Sequence, residues 1–503
     1  MASLLKRMLS IKKPKTSRRS SQPNRKNLCG CSTTATSDTS LVINVGPKPG
    51  PAHSSMSQPV IVQANLTGQA KLEAVTNLIK KLADDLQQNM LLPQRESQRG
   101  HVLSKSTKLT GAERDAALEE LKIYGRDPRN ADPIFTEEVF LYFPSDSTSR
   151  AALRVLANAM LLDPKTRQMF VDLRYEAQAC KKLRSESFDD EFLVSRVIFL
   201  TTYDTKIDLL ALIKKHGLAE TVVQNLAKHV RTVDNGHSKA PVDPMEDMAL
   251  NETLRLLFNV SHYCPSEVAA FSATIPHIIA LLWKQDISSS KPLDPPFNSL
   301  INALLNLKME DKDVQPAIYP KHDPKKVAER LIELLDLSLK AYNDNDLEQL
   351  ATPLVGVLRR VHGGAPEDVE KYIRSTLLPT HEDRKQVLGR GTSLTSRLLS
   401  NSSNPMAPQL RENISSFLFD MSDQNASKFV QNVGYGFASG FLFQKNIPIP
   451  ASASEAFATG ESQRAVNPVT GQYLDEEKPV EMPEMTEEEK EREAERLFVL
   501  FER

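Results

Sequence analysis

The sequence predicts an all-α protein, and three observations carry that prediction. Between residues 65 and 444, apolar residues recur three and four apart, the spacing that gives a helix one buried face. Proline or glycine punctuates the ends of these segments. No alternating apolar and polar run of useful length accompanies them. One stretch shows the pattern most plainly: Leu254-Arg-Leu-Leu-Phe-Asn259, an apolar helix turn ending in an amide. It recurs loosely as Leu153-Arg-Val-Leu-Ala-Asn158 and Ile301-Asn-Ala-Leu-Leu-Asn306. Repeated helical units that share a core build a solenoid with a continuous concave face, so the expected architecture is an armadillo/HEAT-like helical-repeat superhelix. The step from Leu254 to Ile301 matches about one unit of 40–47 residues, and that from Leu153 to Leu254 about two.

In chain order, residues 1–60 are rich in Ser, Thr, Pro, Lys and Arg with one acid, Asp38, and read as a disordered basic arm. A mitochondrial presequence shares that profile, but Pro14 and Pro23 limit an amphipathic helix there. Leu41–Val45 and Val60–Val62 are the only strand-like runs in this part of the chain. The repeat domain is placed at 61–444. Leu72, Val75, Ile79, Leu82 and Leu86 make one helix face, and a second helix starts near Gly111 and stops before Asp127-Pro128. Ala151 to Leu162 carries Asn158 and is read as ending at Asp163-Pro164. Helical periodicity continues through Phe192–Leu200, Leu209–Ile213 and Val222–Val230. Ala249–Val260 carries Asn259, and its end is read at Cys264-Pro265. Ile275–Trp283, Phe297–Leu307, Val327–Leu339, Leu350–Val361, Val369–Leu378, Thr395–Leu399 and Ile414–Phe419 follow. Residues 445–485, rich in Pro, Ser, Ala and Glu, read as a tether. Thr486-Glu-Glu-Glu489 is a capping box that opens a C-terminal helix over 486–503, with Leu497, Phe498, Leu500 and Phe501 on its apolar side.

Net charge is −1, so the whole chain offers no bulk attraction to nucleic acid. The four cysteines form no disulfide framework and no zinc pattern; Cys29-Gly-Cys31 fits two thiols in an arm better than a metal or lipid site. No run reaches the roughly 18 apolar residues of a membrane span. No phosphate-cradling glycine motif, His-Glu-x-x-His, Cys-x-x-Cys or Gly-x-Ser-x-Gly occurs, and Gly389-Arg-Gly391 is too short for a cradle. The expectation is a binding protein without covalent chemistry, cofactor or metal. Asn158, Asn259, Asn302 and Asn306 are the candidate binding amides, since an asparagine can pair with both sides of a peptide unit. Local capping is the competing role for each. Lys122, Arg126, Arg154, Arg255, Arg359 and Arg360 share these helices and suit a partner's carboxylates, or else a solvated face.

Several segments, in order, resemble the synembryn family (resistance to inhibitors of cholinesterase). They are Leu121-Lys-Ile-Tyr-Gly-Arg-Asp127, Ala152–Asn158, Leu254–Asn259, Lys428-Phe-Val-Gln-Asn-Val-Gly-Tyr-Gly-Phe-Ala-Ser-Gly440, Asn467-Pro-Val-Thr-Gly471 and Met485–Ala494. The likeness covers about residues 65–503 and implies an armadillo/HEAT superhelix. It implies a guanine-nucleotide exchange factor and folding chaperone for heterotrimeric G-protein α subunits, GDP-bound or nucleotide-free. Such a protein grips the Gα C-terminal helix in its concave groove. By the same resemblance Lys122 and Arg126 match a pair of tail-contacting arginines, with lysine replacing the planar fork at 122. Asn158 and Asn259 match groove amides, and Arg359 or Arg360 a later groove arginine. In the family an acidic phosphorylated run follows the Gly-Tyr-Gly segment; here Ser452 keeps a minimal Ser-x-x-Glu pattern. A continuation of the C-terminal helix would help hold the Gα GTPase domain. A cytoplasmic monomer with peripheral recruitment to the plasma membrane is the accompanying expectation. The alternative function is a general armadillo-type adaptor for extended peptides.

Overall fold

The computed structural model describes residues 66–90, 109–139, 146–234, 244–448, 457–459, 464–477, 486, 488–492 and 494. The expected basic arm, with its two strand-like runs, and the apolar residues Leu497–Phe501 lie outside the described residues. The chain divides into two compact units, Met1–Lys371 and Tyr372–Arg503. That division falls inside the single repeat domain expected over 61–444.

The first unit is an all-α helical repeat. Its helices are α1 (Gly68–Met90), α2 (Gly111–Tyr124), α3 (Asp146–Leu162), α4 (Pro164–Asp172), α5 (Glu176–Lys182), α6 (Phe188–Thr201) and α7 (Leu209–His216). They continue as α8 (Leu218–Asp234), α9 (Pro244–Tyr263), α10 (Ile275–Lys284), α11 (Phe297–Asn306), α12 (Gln315–Ile318), α13 (Lys326–Ala341) and α14 (Asp344–Gly363). Helices α2, α3, α6, α9, α11 and α14 pack side by side in that order as a front row. Behind them α8, α10 and α13 pack in order, each against its following front helix. The apolar periodicity read from the sequence is the contact surface of this stack. Leu254, Leu256 and Leu257 of α9, and Leu300 and Leu304 of α11, are fully buried. Burial of a leucine or isoleucine contributes about 1.5–3 kcal/mol, so the repeated apolar turns dominate the stacking energy.

The prolines read as helix stops are also helix starts. Asp163 accepts the Lys165 amide at 3.0 Å and Pro164 opens α4, where no backbone N–H is missed. Pro265 likewise opens a 3-10 stretch to Thr274 that leads into α10. One described stretch, Pro265–Lys284, is long and apolar enough to cross a membrane by length and composition, contrary to the sequence expectation of none. Val268, Phe271, Ile275, Ile278 and Leu282 within it are buried, and it packs against α8 and α11 as a core element.

The second unit carries α15 (Glu367–Leu377) from Tyr372 onward, α16 (Leu394–Asn401), α17 (Pro408–Asp420), α18 (Ala426–Val433) and α19 (Tyr435–Gln444). A short antiparallel hairpin joins β1 (Phe457–Thr459) to β2 (Arg464–Val466), pairing Ala458 with Ala465. The expected tether over 445–485 therefore needs correcting: residues 464–477 are packed structure. Pro468 and Val469 offer their carbonyls to the Tyr435 and Gly436 amides at 2.7 and 3.1 Å, capping the N-terminal N–H groups of α19. Gly436 eases that approach, because a Cβ there would lie a tight 3.0 Å from the Val469 carbonyl. The two segments singled out by resemblance, Lys428–Gly440 and Asn467–Gly471, are thus each other's docking partners. Further on, Thr486 and Glu489 form the capping box read from the sequence, with Thr486 N–H donating to Glu489 at 3.0 Å.

Candidate functional site

The three asparagine-bearing turns lie in the C-terminal halves of α3, α9 and α11, all in the front row. Helix C-termini leave carbonyl groups without intrahelical donors and carry partial negative charge. Side chains of the following front helix donate into these regions, and Arg360 reaches the terminal carbonyls themselves. Asn259 of α9 donates to Thr202 Oγ1, at the C-cap of α6, at 2.8 Å. Asn306 of α11 donates to the Phe258 carbonyl of α9 at 3.0 Å and reaches Ser261 Oγ at 3.3 Å. Arg360 of α14 donates to the Leu304, Leu305 and Leu307 carbonyls at the end of α11, at 3.2, 2.7 and 2.5 Å, and to Glu310 at 2.9 Å. These three side chains pin successive front helices together. Asn259, Asn306 and Arg360 thus take, within the chain, the local bonding role that the sequence left open beside partner contact.

Asn158 differs. It occupies on α3 the place that Asn259 holds on α9, four residues before the helix end. Its amide is 2% exposed, and neither Nδ2 nor Oδ1 has a hydrogen-bond partner. Leaving a buried amide unmatched costs about 1–3 kcal/mol per group. Asn302 of α11 is half-buried with its Oδ1 also unmatched. Lys122, at the end of α2, is buried and ion-paired with Glu119. Arg126 is exposed one turn later, and Arg359 is half-buried beside Arg360.

Helix α6 is the ionic hub of this row. Arg150 and Arg154 of α3 pair with Asp190 and Asp189 at 2.9 Å each. Arg196 pairs with Glu252 of α9 at 2.8 Å, and Arg255 joins the same carboxylate at 3.0 Å. Arg154 and Arg255 are therefore committed within the row. Glu191 is wholly buried and meets His229 at 2.9 Å, Lys228 at 2.8 Å and Thr253 Oγ1 at 2.7 Å. Burial pushes the Glu191 carboxyl up, but the hydrogen bond and charge of His229 and the charge of Lys228 outweigh it and hold it below its ordinary value. The Ser195, Thr253, Glu191 and His229 group resembles catalytic furniture by composition, yet all four are 0–1% exposed and bonded to one another. Substrate has no approach to them, and the group works as a polar core.

Sequence reading missed a set of basic residues that repeat the capping device elsewhere. Arg167, 1% exposed, donates to the Met160 and Leu161 carbonyls at the end of α3, at 2.6 and 3.2 Å. Its burial lowers its affinity for the proton, because no carboxylate is hydrogen-bonded to it. Lys284 of α10 caps Val230 of α8. Arg330 of α13 caps Leu282 and Gln285 at the end of α10, at 3.1 and 2.5 Å. A basic residue surrounded by apolar ones at helical spacing was the available signal, as at Arg330 between Val327 and Leu331. Its acceptors belong to a distant turn and leave no mark nearby.

A stacked row of helices with engaged ionic seams defines a helical-repeat protein. Among the described residues no group of three or more His, Cys, Asp or Glu is placed to hold a metal ion. Residues 117–503 match the Ric8 family, described as guanine nucleotide exchange factor synembryn, and the chain belongs to that family. It is 26% identical over 359 residues to a synembryn-like chaperone of Schizosaccharomyces pombe, the match covering 65% of each chain. Chaperone Ric-8A of Xenopus laevis is 23% identical over 443 residues, 77% of this chain and 80% of the relative. Chaperone Ric-8A of Gallus gallus is 26% identical over 418 residues, 75% of each.

Proposed function

We propose that this chain is an exchange factor and folding chaperone for heterotrimeric G-protein α subunits, and that the front row receives the Gα C-terminal helix. The family membership supports the activity. The observation that supports the site is Asn158: neither end of its amide is matched, and although both atoms are buried in the partner-free chain, a shift at the end of α3 would offer them to a partner's peptide unit for two hydrogen bonds. Arg126 and Arg359 would then meet carboxylate groups of the same partner. The mechanism is linkage. A partner that binds nucleotide-free Gα more tightly than GDP-bound Gα weakens GDP by the same factor. GTP, by restoring the nucleotide-bound state, disperses the complex. No bond is made or broken. The same hold on an immature Gα would shelter apolar surface until its nucleotide arrives.

The test is complex formation followed by size-exclusion chromatography. The reading expects a stable complex with nucleotide-free Gα that dissociates on adding GTP. A complex equally stable with and without GTP would contradict it and favour a peptide adaptor.

A further inference from the structure

The corner between α3 and α4 repeats the corner after α9 in outline but not in bonding. Each helix ends on one connecting residue and a proline, Asp163-Pro164 and Cys264-Pro265, and each carries an asparagine four residues before its end. The connecting amides close the last turns alike: Asp163 N–H donates to the Ala159 carbonyl at 2.9 Å, and Cys264 N–H to the Val260 carbonyl at 3.0 Å. At the end of α9 the side chains are matched. Asn259 donates to Thr202 Oγ1 at 2.8 Å, and Ser261 Oγ to the Phe258 carbonyl at 3.0 Å. At the α3 corner, four buried atoms within ten residues have no hydrogen-bond partner: Asn158 Nδ2 and Oδ1, Thr166 Oγ1 and Arg167 Nη1. Their residues are 0–2% exposed.

Buried groups without partners raise the free energy of the closed arrangement relative to one in which they are matched. Arg167 is what holds that arrangement shut. From α4 it reaches back to the Met160 and Leu161 carbonyls, at 2.6 and 3.2 Å, so its guanidinium ties the first turn of α4 to the last turn of α3. Helix α4 is only nine residues long and is followed by Arg174, whose φ of +59° lies in the left-handed region that a non-glycine residue adopts at a cost. The helix is thus bounded by single connecting residues, the element-terminal positions that absorb the backbone change when a rigid segment turns. A swing of α4 that broke the Arg167 bonds would free the last turn of α3 and bring the Asn158 amide within reach of a partner.

We propose that the α3–α4 corner is a latch, closed by Arg167, that keeps the Asn158 amide shut away until a partner helix displaces it. This inference rests on the Gα reading above. Arg167 is a positioning residue, acting through α3. Apparent affinity is the intrinsic affinity scaled by the fraction of molecules already open, so loosening the latch tightens binding and securing it weakens binding. Two measurements on the full chain test this. Hydrogen exchange in the chain alone, corrected for intrinsic rates, compares the Asp163 and Cys264 amides; Asp163 is expected to be less protected by about tenfold or more. Titration calorimetry with nucleotide-free Gα compares the parent with two variants. Arg167→Met is expected to bind about tenfold more tightly, and Thr166→Val, which removes an unmatched hydroxyl of the closed state, about threefold more weakly. Adding Asn158→Leu should abolish the gain from Arg167→Met. Thr166→Val keeps the test decisive if Arg167→Met fails to fold. Equal protection of the two amides, or binding by either variant that is unchanged or moves the other way, would overturn the latch and leave the Gα reading standing. Absence of any complex with the unsubstituted chain would remove the Gα reading, and the gated contact with it, whatever the exchange shows.

Discussion

Replacing Arg360 by methionine separates a structural pin from a partner contact. Its guanidinium gives three hydrogen bonds to carbonyls at the end of α11 and one to Glu310. Hydrogen bonds to a charged group contribute about 1.5–3 kcal/mol each when buried. The side chain is 30% exposed and Glu310 is 69% exposed, so the ion pair adds little and the freed carbonyls regain some water. Methionine keeps most of the aliphatic packing. The net loss is about 2–4 kcal/mol, which corresponds to a fall of roughly 3–7 °C in the melting temperature of a unit this size. Calorimetric melting of the full chain reads the stability, and titration with Gα at a temperature where both forms are folded reads the affinity. The expected result is a lower melting temperature with affinity unchanged within about twofold. An unchanged melting temperature with affinity lost tenfold or more would refute the pin and restore Arg360 to the partner surface.

The converse holds for Asn158. Asn158→Leu removes an unmatched buried amide of similar size, so thermal melting should show no loss of stability, while Gα affinity falls by about tenfold or more for two lost hydrogen bonds; loss of stability with binding intact would reverse the assignment. For Glu191, the folded carboxyl titrates below its unfolded value of about 4.3, so its contribution is present above that pH and is lost as pH falls through the folded value. Glu191→Gln should therefore be less stable than the parent at pH 7 in denaturant titrations, with the gap closing under acid; a constant gap would contradict the ionic role. In the second unit, hydrogen exchange at the Tyr435 and Gly436 amides should be slow in the parent and fast in Gly471→Ala, because Gly471, at φ +69°, closes the turn from Asn467 that carries their acceptors. Identical exchange in both would show that α19 is capped some other way.

How far these features were legible follows from how local they are. Helix positions were readable because the 3.6-residue period repeats within one segment: Phe297–Leu307 was expected and Phe297–Asn306 is found. The Thr486 capping box was readable because both partners lie within one turn. Pro164 and Pro265 were read on one side only: proline restricts the residue before it and also opens the helix after it. The amide row was seen as a pattern, but its use was not. Whether Asn306 faces a partner or the end of α9 depends on where α9 stops, 43 residues earlier by chain number at Tyr263. The hydrogen bond that Arg384 donates to the Gly471 carbonyl at 3.0 Å was invisible for the same reason, the two positions being 87 apart in the chain. The hairpin at 457–466 escaped notice because three-residue strands carry too few alternations to register as a period.

The most direct test of the central claim is the rate of GDP release from a purified Gα subunit, with and without this chain, and again with a Gα lacking its C-terminal helix. The account predicts faster release from intact Gα, none from the shortened Gα, and loss of most of the acceleration with Asn158→Leu. Equal acceleration of both Gα forms, or full activity of the Asn158 variant, would contradict it.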